Sequence, residues 1–482
     1  MHLLSFVRVL PFAVGLPLLT AQEGSAKPAP ADPEALRATI RGAVTWIAKQ
    51  AIPVAGVDGA VMFPGTAGGE RDPEPEVYGG TAGVLIFLEN VAAVLDDNEA
   101  RKLADATAKG LRSARKQDAK QNATWIEAKF NTAAGLYTGD AGIGHAFLVR
   151  HLLRKDADAL TTAVEVGDSL LARAKQEFGG ITWGVQPDLI IGNAGTALFL
   201  LELGVASGHE RFLQGARQAA TALDATATRE KSTVDESKLL PTWLYRMGKR
   251  SMHMPNFSHG TAGVSYALLR IGTAVKDEAL IAAGKAGAQW MIEHTVEDGE
   301  GCKWPSSSPG PSMFQGGWCH GPAGTGRLFL LLHSLTGEQR YLDLATKGAR
   351  FMVDYADKAR QRDEQGRVQY VPPSYCCGVA GVLEYFCDLH RVTHDAVHAD
   401  YARRAGQYLL DIAIADGDGR KWKNGRSVPG PKSNDAEGHN IDLMIGAAGE
   451  AFALLQLLTL DAEKSAVRRL PDRAITAASA AK

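Results

Sequence analysis

A Gly-x-Ala-Gly tetrad occurs seven times in this chain, starting at Gly80, Gly139, Gly192, Gly260, Gly321, Gly378 and Gly446. Successive starts lie 59, 53, 68, 61, 57 and 68 residues apart. Such a spacing marks a repeat architecture, in which each unit buries its apolar face only by packing on its neighbours. Every tetrad opens an apolar segment, as in 196–203, 264–271 and 325–332. Helices that are hydrophobic nearly all round belong in a protein interior. Between them run amphipathic segments such as 278–293, 341–355 and 401–414, with apolar residues at spacings of three and four. The unit is therefore a helical hairpin: an amphipathic helix, a loop, a glycine turn and a buried helix. Glycine suits such a turn through its access to positive φ and its tolerance of close backbone approach. Buried helices with no polar end-cap favour closure over an open stack. The expected fold is an all-α toroid, an (α/α)7 barrel over residues 35–462. Turn-rich insertions at Arg229–Pro255, Pro305–Pro311 and Asp416–Asn440 are expected as loops over the barrel ends.

The ends of the chain read differently. Arg8, an apolar stretch from Val9 to Leu19 and the small residues Thr20-Ala21 before Gln22 describe a secretory signal peptide over residues 1–21. An Ala/Pro-rich tether follows over 22–34, and a tail over 463–482. On this reading the protein is exported, to the periplasm or beyond; without a working signal it stays in the cytoplasm. No later apolar run demands a membrane span. A net charge of −2 gives no electrostatic reason to expect nucleic acid. The five cysteines (Cys302, Cys319, Cys376, Cys377 and Cys387) are too few and too oddly numbered for a disulfide framework in 482 residues.

Register along the repeat explains three of them. One residue before the first glycine of each tetrad stand Gly79, Thr138, Ile191, His259, His320, Cys377 and Ile445. Two residues before it stand Tyr78, Tyr137, Ile190, Ser258, Cys319, Cys376 and Met444. In a ring of equivalent repeats one register lies at one height. His259, Cys319, His320, Cys376 and Cys377 should therefore meet at one mouth of the barrel. Three thiolates there suit zinc, with Cys319, Cys376 and Cys377 as ligands and a fourth position for water or a substrate thiol. The plain alternative is small buried hydrophobes. His259, in the cysteine register of the preceding repeat, is a candidate general acid/base. His320 has three open roles: ligand, acid, or packing beside the metal. Asp188 stands four residues before Gly192, and Asp442 stands at the same place before Gly446. A shared aspartate of this kind can serve simply by accepting hydrogen bonds from turn amides.

Trp318-Cys319-His320-Gly321-Pro322-Ala323-Gly324 and Cys376-Cys377-Gly378-Val379-Ala380-Gly381 resemble the two zinc motifs of the lanthionine synthetase C-like proteins, and Phe257-Ser258-His259-Gly260 resembles that family's histidine motif. The resemblance runs from about residue 35 to 460. It implies an (α/α)7 barrel with one zinc ion that adds a cysteine thiolate to a dehydroalanine or dehydrobutyrine in a peptide, closing a thioether ring. It further implies Cys319 and Cys376 as ligands, His259 as acid/base and Asp188 as an active-site aspartate. Two departures stand out. Cys377 replaces the histidine of the usual Cys-His-Gly, and Gln315 stands where the family often has arginine, removing a candidate to stabilise the enolate oxygen. No dehydratase accompanies the barrel on this chain, so a separate dehydratase must supply a dehydrated peptide. The alternatives are addition of a small thiol such as glutathione to dehydroamino acids, and a non-catalytic exported binding protein stapled by a four-ligand zinc. A glycan hydrolase or epimerase would want paired carboxylates at the mouth, where Asp188 and Asp442 form the only pair matched in register.

Overall fold

The computed structural model describes residues 31–65, 72–126, 133–307, 314–353, 371–424, 438–462 and 467–473. The expected signal peptide and most of the tether lie outside them, as do parts of the insertions at 305–311 and 416–440. Fourteen helices are described: α1 (Pro33–Ala48), α2 (Thr81–Val94), α3 (Asn98–Ser113), α4 (Asp140–Arg154), α5 (Ala157–Arg173), α6 (Asn193–Ser207), α7 (Glu210–Ala225), α8 (Thr261–Val275), α9 (Glu278–Glu293), α10 (Pro322–Thr336), α11 (Gln339–Met352), α12 (Val379–Thr393), α13 (Ala396–Asp411) and α14 (Ala447–Leu458). None of them is long and apolar enough to cross a membrane.

The even-numbered helices follow the tetrads and are buried on every side through most of their length; α6, for example, buries Asn193 to Leu201 without a break. The odd-numbered helices are amphipathic. On α3 the buried positions are Ala100, Ala104, Thr107, Ala108 and Leu111, with Gly110 beside them, which is one helical face. Aspartates cap most of these outer helices: Asp32, Asp97, Asp156, Asp277 and Asp395 each accept a backbone N–H of the first turn. The sequence order of the hairpin needs one adjustment. Each inner helix packs most closely on the outer helix that follows it, across a tight turn such as Lys276-Asp277. The helix left over at the start, α1, packs against α14 and completes the seventh pair.

The ring is closed. Each inner helix touches the next, and α14 touches α2. A collar of backbone hydrogen bonds runs round the mouth at the register two residues before each tetrad. Cys319 N donates to Cys376 O (2.9 Å), Cys376 N to Met444 O (2.8 Å), Met444 N to Tyr78 O (3.3 Å), Tyr78 N to Tyr137 O (2.8 Å) and Tyr137 N to Ile190 O (3.0 Å). Leu189 N to Ser258 O (3.1 Å) and Ser258 N to Cys319 O (3.1 Å) complete the circuit. These groups lie outside helices and would otherwise be buried without partners.

The tetrad glycines are not needed for positive φ. Gly260 and Gly378 sit at φ −125° and −128°, in extended backbone. They are needed for contact: a Cβ on Gly260 would collide with the carbonyl oxygen of Met254, and one on Gly324 with that of Trp318.

The ends of the outer helices lead into small antiparallel β-hairpins, which the sequence reading left as loops. They are β1 (Ile52–Pro53) with β2 (Val61–Met62), β3 (Lys116–Gln117) with β4 (Ala123–Thr124), β5 (Lys175–Glu177) with β6 (Gly180–Thr182), β7 (Thr228–Lys231) with β8 (Leu239–Thr242), β9 (Leu244–Met247) with β10 (Arg250–His253), β11 (Val296–Asp298) with β12 (Gly301–Lys303), and β13 (Ile414–Asp416) with β14 (Gly419–Lys421). The Arg229–Pro255 insertion is thus two hairpins. A tryptophan just beyond five of these hairpins, or of their first strand pair, anchors the outer helix. The indole N–H of Trp125, Trp183, Trp243, Trp304 and Trp422 donates to a last-turn carbonyl, respectively of Leu111, Leu170, Leu223, Met291 and Leu409.

The segment expected as a tail returns into the barrel. Within residues 467–473, Val467, Leu470 and Asp472 are buried. The segment's backbone is satisfied by side chains of the inner helices. Arg468 N donates to Asn90 Oδ1, and Asn90 Nδ2 donates to Arg468 O. Pro471 O accepts from Arg270, and Asp472 O from Arg327. Arg469 pairs with Glu384 (2.9 Å) and Asp388 (2.8 Å). The Asp472 carboxylate accepts from Tyr137 Oη (2.9 Å) and Trp318 Nε1 (3.0 Å), directly beneath the collar.

Candidate metal centre

The collar carries Cys319 and Cys376 side by side, and the turn after Cys376 adds Cys377. Their three sulfurs lie within 4.8 Å of one another, the one cluster of metal-ligating side chains of its kind among the described residues. Cys319 Sγ is 3.2 Å from Cys377 Sγ, which is 3.5 Å from Cys376 Sγ. Sulfurs bound tetrahedrally to zinc at about 2.3 Å stand about 3.8 Å apart. The donor set therefore fits a zinc ion with little movement. Cys319 and Cys376 are 3% and 2% exposed, with Cys377 at the opening. The Cys376 sulfur, then Cys377 and burial, push the Cys319 thiol well above its ordinary range. Three crowded thiols of this kind become thiolates when a cation shares their charge. Cys302 and Cys387 follow the plain reading: both are buried, and burial pushes each thiol up to about 12.

His259 and Asp188 meet at the same mouth. His259 Nδ1 lies 3.6 Å from Asp188 Oδ1, a charge contact longer than a hydrogen bond. Asp188 Oδ1 also accepts from the amides of Ile190 (2.7 Å) and Ile191 (2.8 Å). Asp442 does the same for Met444 (3.0 Å) and Ile445 (2.7 Å). The turn role foreseen for this aspartate register is real at both positions; Asp188 differs in facing a histidine. The His259 and His320 rings stand 6.1 Å apart. Burial holds the His320 imidazole down to about 4, so it is neutral at neutral pH. Asp188 Oδ2, His259 Nδ1 and His320 Nδ1 are buried without a hydrogen-bond partner among the described residues. Native proteins rarely leave several such atoms together unless something else binds there.

Two tyrosines at the site escaped the sequence reading. The Tyr78 hydroxyl donates to Cys376 Sγ at 3.1 Å. Tyr78 was visible in the cysteine register of the first repeat, but only closure of the ring brings it to the sixth. Tyr245, on β9, lays its ring against His259 with centroids 4.3 Å apart. Burial, then the Asp188 charge, raises its phenol. Gln186 docks this hairpin: its side-chain oxygen accepts from Arg246 N (3.1 Å). A groove of about 280 Å³ lined by Phe178, Val185, Pro187, Leu244 and Arg246 reaches the residue before Asp188.

The class of protein defined here is a closed (α/α)7 toroid with a three-sulfur cluster able to hold a metal ion and a histidine–aspartate pair at the same mouth. Residues 72–470 match the family described as Lanthionine synthetase C-like protein. The chain belongs to that family. Its fold is similar to that of nisin cyclase, with a TM-score of 0.54 at 15% identity over 81% of this chain and 94% of that one. It is also similar to an alpha-1,2-mannosidase from Trichoderma reesei, with a TM-score of 0.52 at 16% identity over 92% and 95%. At these identities both likenesses concern the fold.

Proposed function

We propose that this protein is a zinc-dependent cyclase that adds a cysteine thiol to a dehydroalanine or dehydrobutyrine in a peptide. The observation that carries this reading is the convergence of Cys319, Cys376 and Cys377 on one mouth with the His259–Asp188 pair. Bound zinc supplies a Lewis acid that keeps a substrate thiol deprotonated near neutral pH while leaving its sulfur nucleophilic. Cys319, Cys376 and Cys377 would hold the ion. Asp188, fixed by two turn amides, places its charge on the Nδ1 side of His259, which leaves Nε2 to exchange protons. The sulfur bonds to the β carbon, the double-bond electrons move onto the α carbon and its carbonyl, and a proton from His259 Nε2 closes the α C–H bond. The thiol proton balances the one delivered, so the addition needs no oxidant or reductant. Tyr245 lies against one side of the His259 ring.

Zinc content is the first test. About one zinc per wild-type chain, lost in Cys319→Ala, is expected; a reduced, folded wild type without zinc removes the mechanism. A dehydroalanine peptide with an internal cysteine, and one without it plus glutathione, then separate cyclisation from small-thiol addition by mass. No acceleration of either leaves a binding protein. Export over residues 1–21 belongs to the same proposal, and a mature chain beginning near Gln22 is its expected product. The substrate then reaches the enzyme already dehydrated.

A further inference from the structure

Cys377 in place of a neutral histidine ligand leaves the centre rich in negative charge. Three thiolates around a zinc dication carry a net charge of about −1, and a substrate thiolate makes it about −2. The residue four before Cys319 is Gln315, which brings no positive charge. A donor onto one sulfur would draw off charge without taking a coordination position, as outer partners of metal ligands do.

Tyr78 is built for this. Its backbone is clamped on both sides of the collar, with Tyr78 N donating to Tyr137 O (2.8 Å) and Tyr78 O accepting from Met444 N (3.3 Å). The Glu76 carboxylate also accepts from Tyr78 N. Met444 in turn accepts from Cys376 N at 2.8 Å. Tyr78 and Cys376 therefore flank one collar residue, 298 positions apart in the chain, and the phenol oxygen lies 3.1 Å from the sulfur. Its neighbour Tyr137, at the same register of the next repeat, spends its hydroxyl on Asp472 instead (2.9 Å).

We propose that Tyr78 is a positioning residue of the metal centre, whose phenol donates to Cys376 Sγ and so fixes that sulfur as a ligand and lowers its electron density. This rests on the reading that the three sulfurs hold zinc. The test uses the full chain as wild type, Tyr78→Phe and Tyr137→Phe. Zinc affinity is measured by competition with a chelator, and the sulfur-to-metal charge-transfer band is recorded with cobalt(II) in place of zinc. Tyr78→Phe should bind zinc about 10-fold more weakly and move the band to longer wavelength, because a thiolate that loses its donor is easier to oxidise. Tyr137→Phe loses a hydroxyl that is more deeply buried and bonded to Asp472, not to a sulfur, and should leave the band in place. Wild-type affinity and an unmoved band in Tyr78→Phe would overturn the proposal, as would equal shifts in both variants. A wild type that binds no metal sinks the zinc reading itself, which separates the two failures.

Discussion

Asp188 and Asp442 occupy the same place in their repeats and accept the same pair of turn amides, yet their surroundings set them apart. Asp442 faces no histidine among the described residues, and burial pushes its carboxyl up to about 7. A folded-state value above the unfolded one contributes stability that is present below about 4 and lost as pH rises through about 7. Asp442→Asn keeps the accepting oxygen and removes the charge. The Asp442 contribution to the pH dependence is then gone, so that the variant gains on wild type at pH 8 relative to pH 5 in urea unfolding. A parallel pH dependence in both proteins would refute this. Asp188→Asn also keeps the turn, but it removes the charge facing His259; thiol addition should fall about 10- to 100-fold, the scale of a general acid/base contribution, with zinc content unchanged. The sequence could show that the two aspartates share a register. It could not show which of them faces His259, because that partner comes from the next repeat.

At the scale of elements, the tetrad works by contact. The second glycine of each sits where the helix start presses on the carbonyl of the residue three before the first glycine, as Gly324 does on Trp318. Gly324→Ala must move that carbonyl or the helix, and Trp318 precedes Cys319 of the sulfur cluster while its indole holds Asp472. Overpacking of this kind costs about 1–3 kcal/mol. The expected result is a melting temperature lower by several degrees together with weaker zinc retention; loss of stability with zinc fully retained would separate the turn from the site. The repeat and its helices were legible because periodic apolar residues and small residues at fixed positions leave direct marks in a sequence. The hairpins were not legible, since two to four residues of strand are too short for an alternating pattern. The five anchoring tryptophans are a second repeat signal in the sequence.

For the molecule as a whole, the decisive element is the segment at 467–473. It fills the barrel below the cysteine cluster, and apart from Tyr137 and Trp318 at the collar its partners stand six or ten residues after the first glycine of their tetrads: His145, Tyr266, Arg327 and Glu384 at six, Asn90, Glu202, Arg270 and Asp388 at ten. Polar residues at those positions in otherwise apolar helices were the available sign of an occupied interior. Ending the chain at Ala462 takes Arg469 away from Glu384 and Asp388, leaving them, among the described residues, only Arg327 and Arg391 as cationic partners. Removing one partner from a buried ion pair costs about 3–5 kcal/mol, so the truncated chain should melt well below wild type, and Arg469→Met should reproduce part of the loss. Equal melting of all three would show the segment to be dispensable. The sequence by itself determined the sevenfold repeat, the toroid and the height at which cysteines and histidine meet, because equivalent repeats convert register into height. Only the tertiary structure decided which repeats face one another across the mouth, which tyrosine reaches a sulfur and where the last segment goes. Those contacts join residues hundreds of positions apart and depend on ring closure and on side-chain direction, neither of which leaves a local pattern in the chain.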